Sequence, residues 1–434
     1  MIWGYEDEAA GLCSLLSFLF TLRGIMAAAS LTRGYNRSVV LSSIISAVEI
    51  DRPRLVTETG LSQATVFRVV DDLMQDELVV ETEPSPRVGP GRNATRIRFN
   101  ESYATVVGVD LGGTYCRLVL SDALGNTLGR LVDTTPVALS ASELADWLAG
   151  HIFELTVRHG HGAELGAVAI GMPGPVAGDK ECVIASVNLP QIAGTEFIDC
   201  LSEATGVPTA VDNDSSLALV GELRYGAVTA GGTVALLVIG TGLSAAVSLD
   251  GKVLSGREGV LGEFGRLPLF GTTYRVRDLV SGAGLVAYAA ERGHDVSSAR
   301  ELFAEPQKHR CILDQVYLTL AHLASMVSIA YEPQSIVVTG GFAESLDEGL
   351  LARIAAQVEA SVGVRTSIHH SSLGEAAGLL GAMSLGLSNL YYELGVHRDD
   401  LAAIRGDSGA VIRSFDASAP DREPIRRPLR SVAM

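Results

Sequence analysis

The chain has 434 residues, 47% of them apolar and 19% charged, with a net charge of −17. That composition predicts a soluble globular protein of two or three domains. It excludes a small disulfide-stapled scaffold, a disordered chain and a collagen-like one, because there is enough apolar material for a large core plus a satellite. Five scattered cysteines, Cys13, Cys116, Cys182, Cys200 and Cys311, form no CxxC or CxC pair, which favours a reducing compartment over a disulfide framework or a metal clip.

The first apolar run, Gly11 to Leu22, is short of the roughly 20 residues that span a bilayer. Glu6, Asp7 and Glu8 precede it where a secretory leader would be basic. Residues 1–25 are therefore expected to be an upstream extension, with Met26 an alternative start, and the ordered chain to begin near residue 36 after a 1–35 extension. Charge is uneven. Residues 36–100 carry eight Arg against nine acidic groups, net −1, whereas the 334 residues beyond carry net −15. The long acidic part is a poor general binder of nucleic acid, and the first part stays a candidate.

Residues 36–100 read as three short helices and a hairpin. Val39, Leu41, Ile44, Ile45 and Val48 mark the first helix, and Asp51 starts the second with Pro53 in its first turn. Gly60 makes a tight turn, Leu61 is an apolar plug, and Ser62 caps a third helix whose Val66, Val69, Val70 and Leu73 form one stripe. Two strand-like runs, LVVETE and RIRFN, flank the Pro/Gly-rich loop PSPRVGPGRNA. This is the pattern of a winged helix-turn-helix, although a plain three-helix interaction domain shares the apolar periodicity. In a winged helix the third helix enters the major groove by its N-terminal end, so Ser62, Gln63, Thr65, Phe67 and Arg68 are the candidate DNA contacts. Arg87 and Arg92 in the wing loop are suited to phosphates or a narrow minor groove, as are Arg96 and Arg98 on one face of the last strand.

Beyond Ser102 the pattern becomes Gly- and Ala-rich α/β and continues to about Val396. VVGVDLGGTYCRLVLSD reads as strand, glycine turn and strand, and VALLVIGTGLSAAVSLDGK repeats the plan, which predicts a duplicated, two-lobed architecture with a cleft. The lobes are placed at 101–225 and 226–396, the second with a C-terminal helix return, followed by a mobile tail at 397–434. Glycine turns at strand ends present backbone N–H groups to phosphate. Three are visible: Asp110 followed by Gly112, Gly113 and Thr114; then Gly240, Thr241 and Gly242; then Gly340 and Gly341. Asp110 is placed to hold magnesium through water.

Seven motifs in order carry a resemblance: GVDLGGT, GMPGPV, VNLP, VDNDSSLALVGE, VIGTG, GEFG and VVTGG, behind a winged helix ending GPGRNATRIRFN. The chain resembles ROK proteins (repressor, open reading frame, kinase) over residues 36–395. The resemblance implies an actin-like, sugar kinase/Hsp70-type two-lobed ATPase fold with a sugar-binding cleft. By position, Asp214 matches the catalytic base of the kinases, Asn213 and Glu263 match groups that bond sugar hydroxyls, and Asn188 lies in a loop lining the same pocket. Glu222 suits a structural helix role.

Departures from the family pattern are concentrated around metal and phosphate. The sugar- and zinc-binding histidine is replaced by Arg266, the loop after it has no cysteine, and the glutamate of the cysteine cluster aligns with Arg277. No zinc site is expected. Tyr115 replaces a common lysine, and Ser244 and Ala246 replace glycines of the second phosphate loop. Arg266 either receives an acidic group of the ligand or pairs internally with Glu263 and braces its loop. The sequence points to a cytoplasmic, nucleoid-associated regulator of carbohydrate metabolism. Its expected partners are double-stranded operator DNA and a sugar or sugar-phosphate effector, in a homodimer or homotetramer with no membrane and no cofactor. The alternative is an ATP-dependent sugar kinase, glucokinase-like and using Mg-ATP, and a third reading is a metabolism-linked interaction module.

Overall fold

A computed structural model describes residues 32–47, 49–82, 95–178, 180, 182–228 and 231–396. Arg87, Arg92, Val48, the 1–25 extension and the 397–434 tail lie outside the described residues. The chain divides into two compact units, whose described parts are 32–104 with 388–396, and 105–387.

In the first unit α1 covers 32–47, beginning before the boundary read from the sequence. It is followed by β1 (Ile50–Asp51), α2 (Arg52–Thr59), α3 (Gln63–Gln75), β2 (Val79–Thr82) and β3 (Arg96–Phe99). The buried stripe of α1 is Val40, Leu41, Ile44 and Ile45. Val40 replaces the expected Val39 because 40, 41, 44 and 45 are the positions that return to one side at 3.6 residues per turn. Asp51 caps α2 by accepting the Arg54 N–H at 2.8 Å, and Gly60 ends it in the left-handed region at φ 67°, which a β-carbon disfavours. Ser62 caps α3, accepting the Thr65 N–H at 3.2 Å, and Val66, Val69, Val70 and Leu73 are buried. The sheet is antiparallel in the order β1-β3-β2, with Ile97 and Phe99 buried while Arg96 and Arg98 alternate outward to pair with Glu49 and Glu101. Residues 388–396, assigned from sequence to the second lobe, belong to this unit: Tyr391, 1% exposed, packs edge-on against Phe99 at 5.8 Å between centroids.

The second unit contains two sheets. β4 (Thr105–Leu111), β5 (Tyr115–Asp122), β6 (Thr127–Thr134), α4 (Ala141–His159), β7 (Leu165–Met172), α5 (Glu196–Thr205), β8 (Thr209–Asn213) and α6 (Asp214–Tyr225) form its first half. The second half runs β9 (Thr233–Ile239), β10 (Leu243–Leu249), β11 (Lys252–Val253), α7 (Val276–Leu279), α8 (Gly282–Ala290), α9 (Ala299–Ala304) and α10 (Arg310–Tyr331). It closes with β12 (Ser335–Thr339), α11 (Glu348–Val362), β13 (Ser367–His370) and α12 (Ala376–Glu393). The sheet orders are β6-β5-β4-β7-β8 and β11-β10-β9-β12-β13, the same path twice: two antiparallel strands to one side of the first strand, two parallel strands to the other. This is the duplication that the paired strand–glycine–strand motifs predict. Each sheet has its own core, the first packed on α4 and α5, the second on α7 to α11.

Two helices that follow the last strand of each half meet backbone to backbone. A β-carbon on Gly221 of α6 would lie 2.1 Å from the Ala377 carbonyl oxygen, and one on Gly381 of α12 would lie 1.8 Å from that of Leu217, so no side chain fits at either position. Beside this crossing, Glu222 is 1% exposed. Its carboxylate accepts the Ser371 hydroxyl, the Ser372 hydroxyl at 3.2 Å and the Leu373 N–H at 3.2 Å, tying α6 to the turn between β13 and α12.

Candidate ligand cleft and nucleic-acid interface

Parallel pairing brings the carboxyl ends of β4, β7 and β8 together, with Asp110 opposite Gly171 and Gly171 opposite Asp212. The chain passes from β8 straight into α6, which fixes the next two side chains. Asn213 is the cap: its oxygen accepts the N–H groups of Ser215 (3.0 Å) and Ser216 (3.4 Å) and the Ser215 hydroxyl, while its Nδ2 donates to the Gly174 carbonyl at 2.8 Å. Its bonding capacity therefore goes to the start of α6, to the Gly174 turn and to its neighbour Asp214. Asp214 is the first helical residue and accepts the Ser215 N–H at 2.7 Å.

Burial, helped by the nearby charges of Asp110 and Glu263, pushes the Asp214 carboxyl up to about 7. Asp110 is also raised by burial, against the pull of Arg117. A raised carboxyl favours its neutral form in the fold, so its contribution to stability is complete below the unfolded pKa near 4 and is lost as pH climbs through about 7. Wild type should therefore lose more stability than Asp214→Asn between those limits. Urea midpoints of both proteins across that range check it, and parallel pH profiles would contradict it.

The cleft brings Asn213, Ser215, Ser216 and Glu263 together, joined by Lys180 and Asp212, whose ammonium and carboxylate are 2.6 Å apart. Sequence reasoning passed over Lys180 because no motif contains it. The available signal was its rarity, since Lys180, Lys252 and Lys308 are the chain's three lysines. Asn188 is exposed and packs against Gly113 of the first glycine turn, where a β-carbon would approach its own to 2.6 Å.

Arg266 does not line the cleft. Its guanidinium pairs with Glu263 at 2.9 Å, and its carbonyl accepts from Arg275 at 2.9 Å. Of the two roles open from sequence, this geometry is the bracing one. The loop behind it is closed by protein alone: Val276 N–H to the Leu267 carbonyl at 2.9 Å, Leu269 N–H to that of Tyr274 at 2.9 Å, and Arg292 stacked 3.5 Å above the Tyr288 ring. Its donor set does not fit structural zinc. The loop holds no cysteine, and among the described residues no three His, Cys, Asp or Glu side chains come together.

At the ancestral phosphate turns, the carbonyls of Gly112 and Thr114 are tied to Thr135 at 2.7 and 3.0 Å. The second and third turns adjoin: a β-carbon on Gly340 would come 3.2 Å from the Gly240 nitrogen, and Gly242 closes on Gly240 by a 3.0 Å bond, with Thr241 and Gly341 exposed between. Asp110 has a built-in cation. Arg117, directly across β5 from it in register, reaches its carboxylate at 3.4 Å and Glu375 at 2.9 Å, with Tyr115 beside it at 5.8 Å. A magnesium ion on Asp110 would have to compete with that guanidinium.

In the first unit, the face of α3 opposite its buried stripe carries Ala64, Arg68, Asp71 and Gln75. Ser62, Gln63 and Arg68 are exposed as expected, and the half-buried Thr65 bonds the Ser62 hydroxyl at 2.8 Å. Phe67 departs from the sequence reading. It is half-buried, with the Arg52 guanidinium 5.5 Å from its ring and pinned by Asp71 and Glu81. Asp71, Asp72 and Asp76 make the rest of the helix acidic, so only its N-terminal end suits a phosphate-lined groove.

Residues 106–388 match the ROK family. The chain is 24% identical over 269 residues to a xylose repressor of Caldicellulosiruptor bescii, covering 61% of this chain and 65% of that protein. It is 26% identical over 316 residues to a glucokinase of Halalkalibacterium halodurans, covering 63% of this chain and 92% of that protein. Among solved structures, a ROK family transcriptional regulator, a homologue of the E. coli MLC protein, superposes with a TM-score of 0.68 at 19% identity, over 84% of this chain and 99% of that one. The glycine turns, the Asn213–Asp214 helix start and the doubled sheet are therefore those of a family to which this chain belongs, the ROK family.

Proposed function

We propose that the chain is a sequence-specific transcriptional regulator of carbohydrate metabolism, acting in the cytoplasm at the nucleoid. In this reading 32–104 is a winged helix-turn-helix that docks α3 in the major groove, and the ROK domain is a sugar sensor that works without zinc. The observation that carries it is a pairing. A three-helix, three-strand unit with Gln63 and Arg68 exposed at the start of α3 is fused to a kinase-like cleft whose phosphate-side carboxylate is neutralised by Arg117. The repressor among its relatives supports the same reading. The effector is a sugar or sugar derivative, held by Asn213, Glu263 and the Lys180–Asp212 pair, with Asp214 next to Asn213 at the start of α6.

A second reading, an ATP-dependent sugar kinase, is favoured by one observation: Asp214 stands at the start of α6 beside Asp110 with its carboxyl raised to about 7, where a base is well matched to neutral pH. The glucokinase relative is consistent with it.

Selection of bound sequences from a random DNA pool, followed by footprinting, tests the regulator reading. An inverted repeat with half-sites about 34–36 Å apart is expected. Arg68→Ala should weaken binding by about 1–3 kcal/mol if it reads a base, selectively at that position. No enriched sequence, or unchanged affinity in Arg68→Ala, would count against it.

A further inference from the structure

Beside α3 lies a hollow of about 280 Å³, walled by Arg33, Gly34, Asn36 and Arg37 of α1 and by Arg68 and Asp72 of α3. Residues 33, 36 and 37 are three and four apart, so they share one face of α1 and bring two guanidiniums and an amide to the same space. Arg68 adds a third guanidinium from the other wall. Arg37 is taken up by Asp76, 2.6 Å away, whereas Arg68 is exposed and makes no ion pair among the described residues. Three arginines against Asp72 and Asp76 leave the hollow with one positive charge in excess, although residues 36–100 together are net −1. The space is also unfilled: a β-carbon on Gly34 would meet nothing within 4 Å.

We propose that this hollow binds a phosphate group, and that the phosphate belongs to the DNA backbone flanking the groove that α3 enters. Guanidinium forks converging with an amide suit a tetrahedral oxyanion, because each fork can give parallel N–H bonds to two phosphate oxygens. The excess of positive charge favours an anion over a neutral ligand. DNA is favoured over a free phosphate by place. Arg68 lies in the second turn of α3, at the end suited to a phosphate-lined groove, while the far half of the helix is acidic. α1 thus supplies positive charge that most of α3 lacks. Backbone contacts of this kind fix the register of a reading helix and carry no sequence information, so Arg68 positions α3 and does not read a base. The choice of DNA as the source rests on the regulator reading above; the hollow and its charge do not.

Binding of the full chain to a selected operator and to a random duplex, each titrated with salt, tests this, with melting curves as a folding control. Arg33→Ala and Arg68→Ala should each weaken both duplexes by the same factor, about tenfold. Each should also flatten the fall of log affinity with log salt by about 0.9 for each chain bound, the signature of one phosphate. Gly34→Glu keeps every arginine but puts a carboxylate into the hollow, and should do the same without lowering the melting transition. Gly34→Ala should leave both readouts at their wild-type values. A salt slope unchanged in Arg33→Ala and Gly34→Glu, or an Arg68→Ala loss confined to one base pair, would overturn the site, while continued operator binding leaves the regulator reading standing. A chain that binds no DNA would sink the regulator reading, and inorganic phosphate then decides for the hollow. A melting transition raised by millimolar phosphate in wild type but not in Gly34→Glu assigns the hollow to a free phosphate; no rise specific to wild type ends the proposal.

Discussion

Glu222→Ala should lower the stability of the ROK domain by about 3 kcal/mol, read as a shift of the urea midpoint with little change in slope. The carboxylate is 1% exposed and collects three donors, two serine hydroxyls and the Leu373 N–H, from the turn between β13 and α12. Alanine removes charge-assisted bonds and strands the two serine hydroxyls in a site too tight for solvent to replace the lost atoms, leaving the Leu373 N–H only its 3.1 Å bond to the Ser371 oxygen. Glu222→Gln keeps the shape and one acceptor oxygen, so it should recover part of the loss. A midpoint unmoved in Glu222→Ala would mean that the turn satisfies its own donors and that α6 does not depend on it.

The largest expected effect is catalytic. Transfer of phosphate from Mg-ATP to any hexose should run at least a thousandfold below the roughly 1–100 s⁻¹ of ordinary kinases. Phosphoryl transfer depends on placing phosphates and metal. Here Arg117 neutralises Asp110, while Ser244 and Ala246, expected in the second phosphate loop, lie in strand β10 just past the Gly240–Gly242 turn. The Arg266 loop, which holds no cysteine, is braced by peptide hydrogen bonds and a stacked arginine. A coupled assay with a panel of sugars measures this directly. Turnover at an ordinary rate that vanishes in Asp214→Ala would promote the kinase reading.

Much of this architecture is legible in the sequence because local rules act alone there. The caps at Asp51 and Ser62, the turn at Gly60 and the two strand–glycine–strand units are each set by a few neighbouring residues, and the duplicated sheet order follows from the second pair. Contacts between distant segments are less legible. Tyr391 joins Phe99 across about two thirds of the chain, so nothing local announces that 388–396 belongs with the first unit. Phe67 looks outward by periodicity, but Arg52, fifteen residues earlier, is held over its ring by Asp71 and Glu81. The Arg117–Asp110 pair was within reach, since a hairpin turning at Gly112 and Gly113 sets the two residues opposite each other. Arg266 shows the limit of analogy: its position matches a ligand-binding histidine, and its nearest acid claims it first.

The central claim is that the ROK cleft and the N-terminal unit speak to each other through a sugar. It is tested most directly by measuring affinity for the selected operator with and without a saturating sugar found by thermal shift, and affinity for that sugar with and without operator. The account predicts the same fold-change in both directions, about 5–150-fold, because linkage is reciprocal. It also predicts that Asp214→Ala abolishes the change while leaving operator affinity in the absence of sugar intact. Equal operator affinity at zero and saturating sugar, with sugar demonstrably bound, would contradict it.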